Sequence, residues 1–191
     1  MKTSVQERGR VVGATLGLFY QGCEALWRDT KYAVMARNYA YVKELSSSLR
    51  LARADESALR AWLYRLKCIE REPTTLSALR NTAYHLLGYW KDRMAPADRR
   101  RLAAQVLDDP AGVISELGER VLREGPSYLA TSYVFRDEPW RETLFRYQGR
   151  VYRMDVDAEQ ALAKGDPSML LVRIYGVEET SETRSNGDRP G

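Results

Sequence analysis

The stretch RVVGATLGLFYQGCEALWRDTKYAVMA, residues 10–36, decides the fold. Within it, apolar or small side chains recur every three or four residues: Val12, Leu16, Phe19, Cys23, Leu26, Thr30 and Val34. This spacing places them on one stripe of a helix. We therefore predict one long helix that packs through this stripe against the rest of the chain. Gly13 and Gly17 are expected to weaken its first turns by about 1 kcal/mol each relative to alanine.

Capping residues and prolines divide the next ninety residues into further helices. Asn38, Asp55 and either Thr74 or Thr75 are suited to accept a free backbone N–H at a helix start, and Pro96 and Pro110 are suited to a first helical turn. Helices are accordingly predicted at about 38–51, 55–70, 75–94, 96–107 and 110–124.

After Gly125-Pro126 the hydrophobic period changes to that of strands. Strands are predicted at 144–147 and 150–154, on either side of Gln148-Gly149, and at 169–177, with a short helical crossover at 158–164. The predicted fold is mainly α, a bundle of about six helices with a small C-terminal antiparallel β-sheet. Trp140, which follows Pro139 at the junction with the sheet, is expected to pin the sheet to the helices. The predicted organisation is a helical domain, 1–136, a small β appendage, 137–178, and a disordered polar tail, 179–191.

The counts of cysteine and histidine exclude several kinds of site. The 191 residues include two cysteines, Cys23 and Cys68, and one histidine, His85. Two cysteines supply neither a disulfide scaffold nor the ligands of an iron–sulfur cluster, and one histidine excludes a multi-histidine metal site. We therefore expect no metal site and no cofactor.

The basic residues are concentrated in the N-terminal part of the chain. Residues 1–105 hold 19 basic and 10 acidic side chains, a net charge of +9, whereas residues 106–191 hold 11 and 16, a net charge of −5. Arginine outnumbers lysine by 24 to 6, and its planar guanidinium fits phosphate and stacks on bases. The first 105 residues are thus a candidate polyanion-binding region; solvated helix faces explain scattered arginines equally well.

The apolar run at 11–20 is interrupted by glycines and is too short to span a bilayer. The N-terminal residues are polar and charged, without the pattern of a secretory signal. A cytoplasmic location and no membrane association are the expectation.

The segment from Pro73 to Lys91 carries the most specific pattern. Its apolar residues fall within roughly a 100° arc of a helical wheel, whereas Asn81, His85 and Gly88 lie on the other side. A glycine there would permit close approach of another helix or of a ligand. A histidine in such a position is also compatible with an ordinary packing contact.

These residues resemble the YbgA-like family, a helical domain of unknown function, over about residues 24–136. The resemblance is carried by three blocks in the same order: Leu26-Trp27, Lys31-Tyr32, Met35-Ala36-Arg37 and Tyr41; Pro73-Thr74, Asn81 and His85-Leu86-Leu87-Gly88-Tyr89-Trp90-Lys91; and Pro96 with Tyr128-Leu129. The family often has histidine where this chain has Arg37.

The resemblance implies a mainly helical domain that occurs alone or fused behind an iron–sulfur desulfidase-like domain. That partner removes sulfur from thiouracil, including 4-thiouridine in tRNA, and the helical domain is expected to hold the tRNA. This chain lacks the cysteines of the desulfidase, so it is not expected to perform that reaction alone.

The leading functional prediction is a non-catalytic RNA-binding, specifically tRNA-binding, accessory domain linked to thiouridine metabolism. Basic side chains would contact phosphates, and an aromatic ring would stack on an unpaired base. The candidate nucleic-acid-binding residues are Lys31, Arg37, Asn81, His85, Tyr89, Lys91, Arg93 and Arg100. Of the three consecutive arginines 99–101, at least one is expected in an ion pair or on a solvated face.

Two alternatives remain open from the sequence. The first is a protein-interaction module that forms a homodimer through the C-terminal sheet, with strand 169–177 as the edge, or that docks a separately encoded desulfidase-type enzyme. The second is an enzyme with an acid–base site around His85, since histidine titrates near neutrality. No nucleophile motif or phosphate loop supports the enzyme, so no catalytic residue is assigned.

Overall fold

The computed structural model describes residues 15–177. The predicted start of the first helix and the predicted tail, 179–191, lie outside this range. The described elements are α1 Leu16–Met35, α2 Tyr39–Leu51, α3 Glu56–Glu70, α4 Leu76–Gly88, α5 Pro96–Gln105, α6 Pro110–Glu124, β1 Glu142–Tyr147, β2 Arg150–Asp157, α7 Glu159–Lys164 and β3 Leu171–Gly176. The predicted fold, mainly helical with a small C-terminal antiparallel sheet, is confirmed.

Side-chain caps begin the helices where the sequence predicted them. Asn38 accepts from the backbone N–H of Ala40 at 2.9 Å, and Asp55 accepts from that of Ser57 at 2.9 Å. Thr75, rather than Thr74, caps α4. These bonds satisfy backbone donors that have no partner within the helix.

Helix α4 ends at Gly88, so the prediction that it continues to about residue 94 is wrong. From Tyr89 to Lys91 each backbone N–H bonds to the carbonyl three residues earlier, which tightens the chain into turns. The turns bring the ring of Trp90 into the core, where it is fully buried. Burial of this large side chain offsets the loss of helical hydrogen bonds.

Two smaller boundaries also differ from the prediction. Helix α5 ends at Gln105, and residues 167–169 form a 3₁₀ turn before β3 begins at Leu171. Asp166 caps this turn through its carboxylate, which accepts from Ser168. Such local side-chain bonds compete with a strand ladder.

The strands form one antiparallel sheet in the order β1-β2-β3. Gln148 and Gly149 join β1 to β2, and both have positive φ angles, 48° and 77°. That pair of conformations matches a two-residue hairpin turn whose twist suits the strands. Strands β1 and β3 are the two edges of the sheet.

Helix α1 lies between the sheet and the other helices and is buried on most sides. Gly22 faces the sheet, and a Cβ there would lie 2.7 Å from the Met154 sulfur and 3.4 Å from the Phe145 ring. The missing side chain therefore allows β1 and β2 to approach the helix backbone. Buried residues of the sheet and of the helices belong to one continuous hydrophobic core.

A buried carboxylate joins α1 to the sheet. Asp29 is 2% exposed, and it accepts hydrogen bonds from the hydroxyls of Thr131 at 2.7 Å and Thr143 at 2.6 Å. The guanidinium of Arg28 also donates to it, and that group reaches the backbone oxygen of Leu144 at 3.2 Å. The donors offset the cost of burying the charge.

Trp140 fixes the connection between the helices and β1. Its backbone N–H donates to Glu70 at 2.7 Å, its carbonyl accepts from Lys67 at 2.9 Å, and the Arg37 guanidinium lies 4.6 Å from its ring centroid. The expectation that Trp140 pins the sheet to the helices is confirmed.

Among the described helices, none is long and apolar enough to cross a membrane.

We predict that Asp29→Asn destabilises the protein by about 2–3 kcal/mol, in the upper part of the range of about 1.5–3 kcal/mol for hydrogen bonds to a charged group. The substitution keeps the shape of the side chain but removes its charge and turns one acceptor into a donor that faces a hydroxyl. The thermal midpoint should fall by about 4–12 °C for a chain of this size. Calorimetry would measure the change. The exposed Asp137, changed to Asn, is the control; an equal shift in both variants would contradict a special role for Asp29.

Candidate nucleic-acid interface

A cavity of about 620 Å³ lies between α1, α2 and the segments that follow α4 and α6. We call it the tyrosine cavity. Its aromatic lining comes from Tyr20, Trp27, Tyr32, Tyr89 and Tyr128. Lys31, Arg28 and Arg50 add positive charge at its wall, and Glu24 adds one negative charge. The cavity therefore offers ring surfaces beside a net excess of cations.

Three of its tyrosines form a connected group. The hydroxyls of Tyr32 and Tyr89 share a short hydrogen bond. The ring of Tyr89 meets those of Tyr32 and Tyr128 edge to face, with centroids 6.0 and 5.9 Å apart. Tyr89 thus bridges α1 to the segment after α6, because α4 ends one residue before it.

Three tyrosine hydroxyls of this cavity have a raised pKa. Burial, followed by the hydrogen bond with Tyr89, raises the pKa of Tyr32 well above its ordinary value. Burial and the nearby Glu24 carboxylate raise the pKa of Tyr20. Burial and Tyr89 raise the pKa of Tyr128, although Arg93 opposes that shift. These three side chains therefore carry no negative charge at neutral pH.

A second depression, of about 450 Å³, lies between α4 and α5. We call it the basic groove. Tyr84, Gly88, Lys91, Arg99 and Arg100 line it. A Cβ on Gly88 would meet nothing within 4 Å, so no other helix approaches the chain there. Close approach of another helix, one of the two uses suggested for this glycine, is therefore not observed among the described residues.

The basic groove and the tyrosine cavity meet at the end of α4. Gly88 and Lys91 line the groove, and Tyr89 between them lines the cavity. Arg93 is exposed in the same turn and acts electrostatically on Tyr128 at the cavity. The turns that end α4 thus carry residues of both sites.

The candidate residues divide into four groups. Lys31 and Tyr89 line the tyrosine cavity, Lys91 and Arg100 line the basic groove, and Arg93 lies in the turn where they meet. The remaining three, Arg37, Asn81 and His85, line neither.

His85 is exposed on α4 and stacks on Tyr39 of α2, with ring centroids 5.9 Å apart. Lys43 lies 5.7 Å from the same Tyr39 ring. Lys31 shares its cavity with Tyr89 and not with His85. Asn81 is partly buried on α4.

Arg37 belongs to another cavity, of about 620 Å³, between α1, α3, α6 and the segment before β1. Its guanidinium donates to the carbonyl oxygens of Ala33 at 2.8 Å and Glu70 at 3.1 Å. It also lies over Trp140, and burial lowers its pKa. These contacts hold the ends of α1 and α3, so the guanidinium already has structural partners.

Sequence reasoning missed several residues of the two sites. Tyr20 and Arg50 carried no distinctive spacing, and their position in the tyrosine cavity depends on how α1 and α2 pack. Tyr128 was part of the family-like pattern, so a signal existed for it. Arg99 was not missed, because it belongs to the arginine run that was expected to contribute phosphate contacts. Arg101, from the same run, pairs with Glu116 at 2.7 Å and with Asp98 at 3.8 Å, as expected for one of the three arginines.

No cluster of three His, Cys, Asp or Glu side chains suited to a metal ion occurs within residues 15–177. Cys23 is fully buried, and burial raises the pKa of its thiol. A thiol that stays protonated is a poor nucleophile. Cys68 is partly exposed on α3.

The chain matches no family model, no curated protein and no solved structure. The YbgA-like resemblance therefore stays a prediction.

We predict that only Cys68 reacts with a thiol reagent at mildly alkaline pH in the native protein, because Cys23 is inaccessible and protonated. Titration with an aromatic disulfide should give at most one thiol per native chain and two after denaturation. Fast reaction of Cys23 in the native state would contradict this burial.

Proposed function

We propose that this protein is a non-catalytic RNA-binding domain with tRNA as its ligand. The observation that carries the proposal is the basic groove, in which Lys91, Arg99 and Arg100 come together. None of these three side chains forms an ion pair with any residue of the described range. The choice of tRNA rests on the YbgA-like resemblance.

The contrast with the neighbouring surface supports the proposal. Arg101 and Arg120 also lie on α5 and α6, but both pair with Glu116, and Arg120 also pairs with Glu124 at 3.1 Å. A cation with a carboxylate partner must give up that partner before it binds phosphate. A cation without a carboxylate partner breaks no ion pair when it binds phosphate. Its binding releases condensed counterions from the nucleic acid, which favours the complex. The groove therefore holds the charge that is available to a phosphate backbone.

Exposed tyrosine rings beside this charge favour RNA with unpaired nucleotides. Proteins that recognise such RNA stack exposed bases on aromatic rings and hold the backbone with cations. Tyr84 lines the groove and is 45% exposed, and Tyr128 is 51% exposed at the tyrosine cavity. Both rings are accessible to a strand that follows the end of α4.

We predict that the double variant Lys91→Ala with Arg100→Ala binds tRNA about tenfold or more weakly near about 150 mM salt. Each substitution removes one phosphate contact, so the slope of log affinity against log salt should become shallower by about one per residue. Fluorescence anisotropy with labelled tRNA, from about 50 to 200 mM salt, measures both quantities.

Arg173→Ala is the matched control, because Arg173 is exposed on β3, outside the groove and the cavity, and its removal also changes the net charge by one. Equal losses in the control and in each groove variant would show only a diffuse charge effect. Absent or salt-insensitive tRNA binding by the unmodified protein would contradict the proposal.

The second candidate function is self-association, or docking of a desulfidase-type enzyme, through the sheet. Strand β3 is an edge of the sheet, and Tyr175 on it is 48% exposed. Edge strands offer backbone groups that a further strand can pair with. Light scattering over a wide range of protein concentration tests the homodimer, and a mass that stays monomeric throughout argues against it.

A further inference from the structure

We infer that the tyrosine cavity binds a single nucleotide, with the base against its aromatic wall and the phosphate at Lys31 and Arg50. The same chemistry is offered by an unpaired nucleotide within an RNA strand and by a free mononucleotide. The inference that the nucleotide belongs to an RNA strand rests on the function proposed above. The nucleotide site itself does not depend on that function.

The size and the floor of the cavity suit a small planar ligand. Its volume, about 620 Å³, falls in the range of about 300–1,000 Å³ that is typical of small-molecule sites. Leu49 and Leu129 contribute to the lining and are 3% and 1% exposed, so part of the cavity reaches the core. Tyr128 also lines the cavity and is half exposed, so another part of the lining is accessible to solvent.

The ring geometry leaves aromatic faces available for stacking. The contacts of Tyr89 with Tyr32 and with Tyr128 are edge to face, at 82° and 84°, and Trp27 meets Trp62 at 86°. Within the described part of the chain, none of these four cavity rings lies flat on another aromatic ring. A flat base can therefore supply the stacked contact that these rings do not make with one another.

The cationic side chains of the cavity differ in whether a carboxylate already pairs with them, and hence in whether they are available to bind a phosphate. Arg28 is held by Asp29 at 2.9 Å and by the carbonyl of Leu144. Lys31 and Arg50 have no carboxylate partner among residues 15–177. The Lys31 ammonium lies 5.8 Å from the Tyr32 ring centroid, so an anionic group attached to a ring on this wall falls within its reach.

The combination favours a nucleotide over a purely apolar ligand. A hydrocarbon would use the rings but would leave the Lys31 ammonium and the Arg50 guanidinium without an anionic partner. A base accepts and donates hydrogen bonds at its edge, and its phosphate takes the cations.

The test uses the full chain and two probes, a short single-stranded RNA that carries one fluorescent aminopurine, and AMP. Tyr128→Ala should weaken binding of the single strand by about 5- to 150-fold, the range for loss of one stacked base, and should abolish the change in aminopurine fluorescence. Its salt slope should not change, because no phosphate contact is lost. AMP should bind to the unmodified protein and much more weakly to Tyr128→Ala.

Tyr175→Ala is the matched control, since Tyr175 is 48% exposed and Tyr128 is 51% exposed. It should bind both probes as the unmodified protein does. Arg50→Ala, at an exposed position that is expected to tolerate substitution, is a second variant and should weaken AMP binding severalfold. Tyr128→Phe keeps the ring and should retain most of the affinity for both probes.

The outcomes separate this inference from the proposed function. If the groove variants weaken RNA binding but Tyr128→Ala behaves like Tyr175→Ala with both probes, the nucleotide site is overturned and the RNA-binding function stands. If AMP binds in a Tyr128-dependent manner but no RNA binds, the nucleotide site stands with a free nucleotide as its ligand, and the RNA-binding function is overturned. If neither probe binds, the nucleotide site is overturned, and the RNA-binding function is overturned as well if labelled tRNA does not bind.

Discussion

Burial of α1 on most of its surface is the constraint on which the rest of the structure depends. A helix with neighbours on most sides must satisfy any polar group that faces inward. Asp29 does so by accepting from the hydroxyls of Thr131 and Thr143, two residues that are more than a hundred positions away in sequence. The same side chain therefore fixes the loop after α6 and the first strand against the helix, while Gly22 allows that strand pair to approach.

The early end of α4 connects this packing to the candidate sites. In the turns after Gly88, Trp90 lies in the core. Its sequence neighbour Tyr89 lines the cavity, and its other neighbour Lys91 lines the groove. A helix that continued to residue 94 would have kept a regular angular spacing between these side chains. The turns after Gly88, rather than a regular helix, therefore place Tyr89 in the cavity and Lys91 in the groove.

Ion pairs and other internal contacts determine which basic side chains are available to bind a polyanion. The basic residues of the first 105 positions include some that the structure uses internally, such as Arg37 on Trp140 and Lys67 on the carbonyl of that residue. Others, such as Arg101, are paired with carboxylates of α6. The groove residues Lys91, Arg99 and Arg100, like Lys31 and Arg50 in the cavity, have no carboxylate partner among residues 15–177, and the clustering of these three is more informative than the net charge of +4.

The sequence by itself determined the helical class, most helix starts, the hairpin at Gln148-Gly149 and the three antiparallel strands, because hydrophobic period, caps and turn residues act locally. It also predicted that Trp140 joins the sheet to the helices. Only the tertiary structure decided where α4 ends, that Arg37, Asn81 and His85 lie apart from the groove and the cavity, and that Tyr20, Arg50 and Tyr128 join Lys31 and Tyr89 in one cavity. These outcomes depend on contacts between residues distant in the chain, which no local pattern encodes.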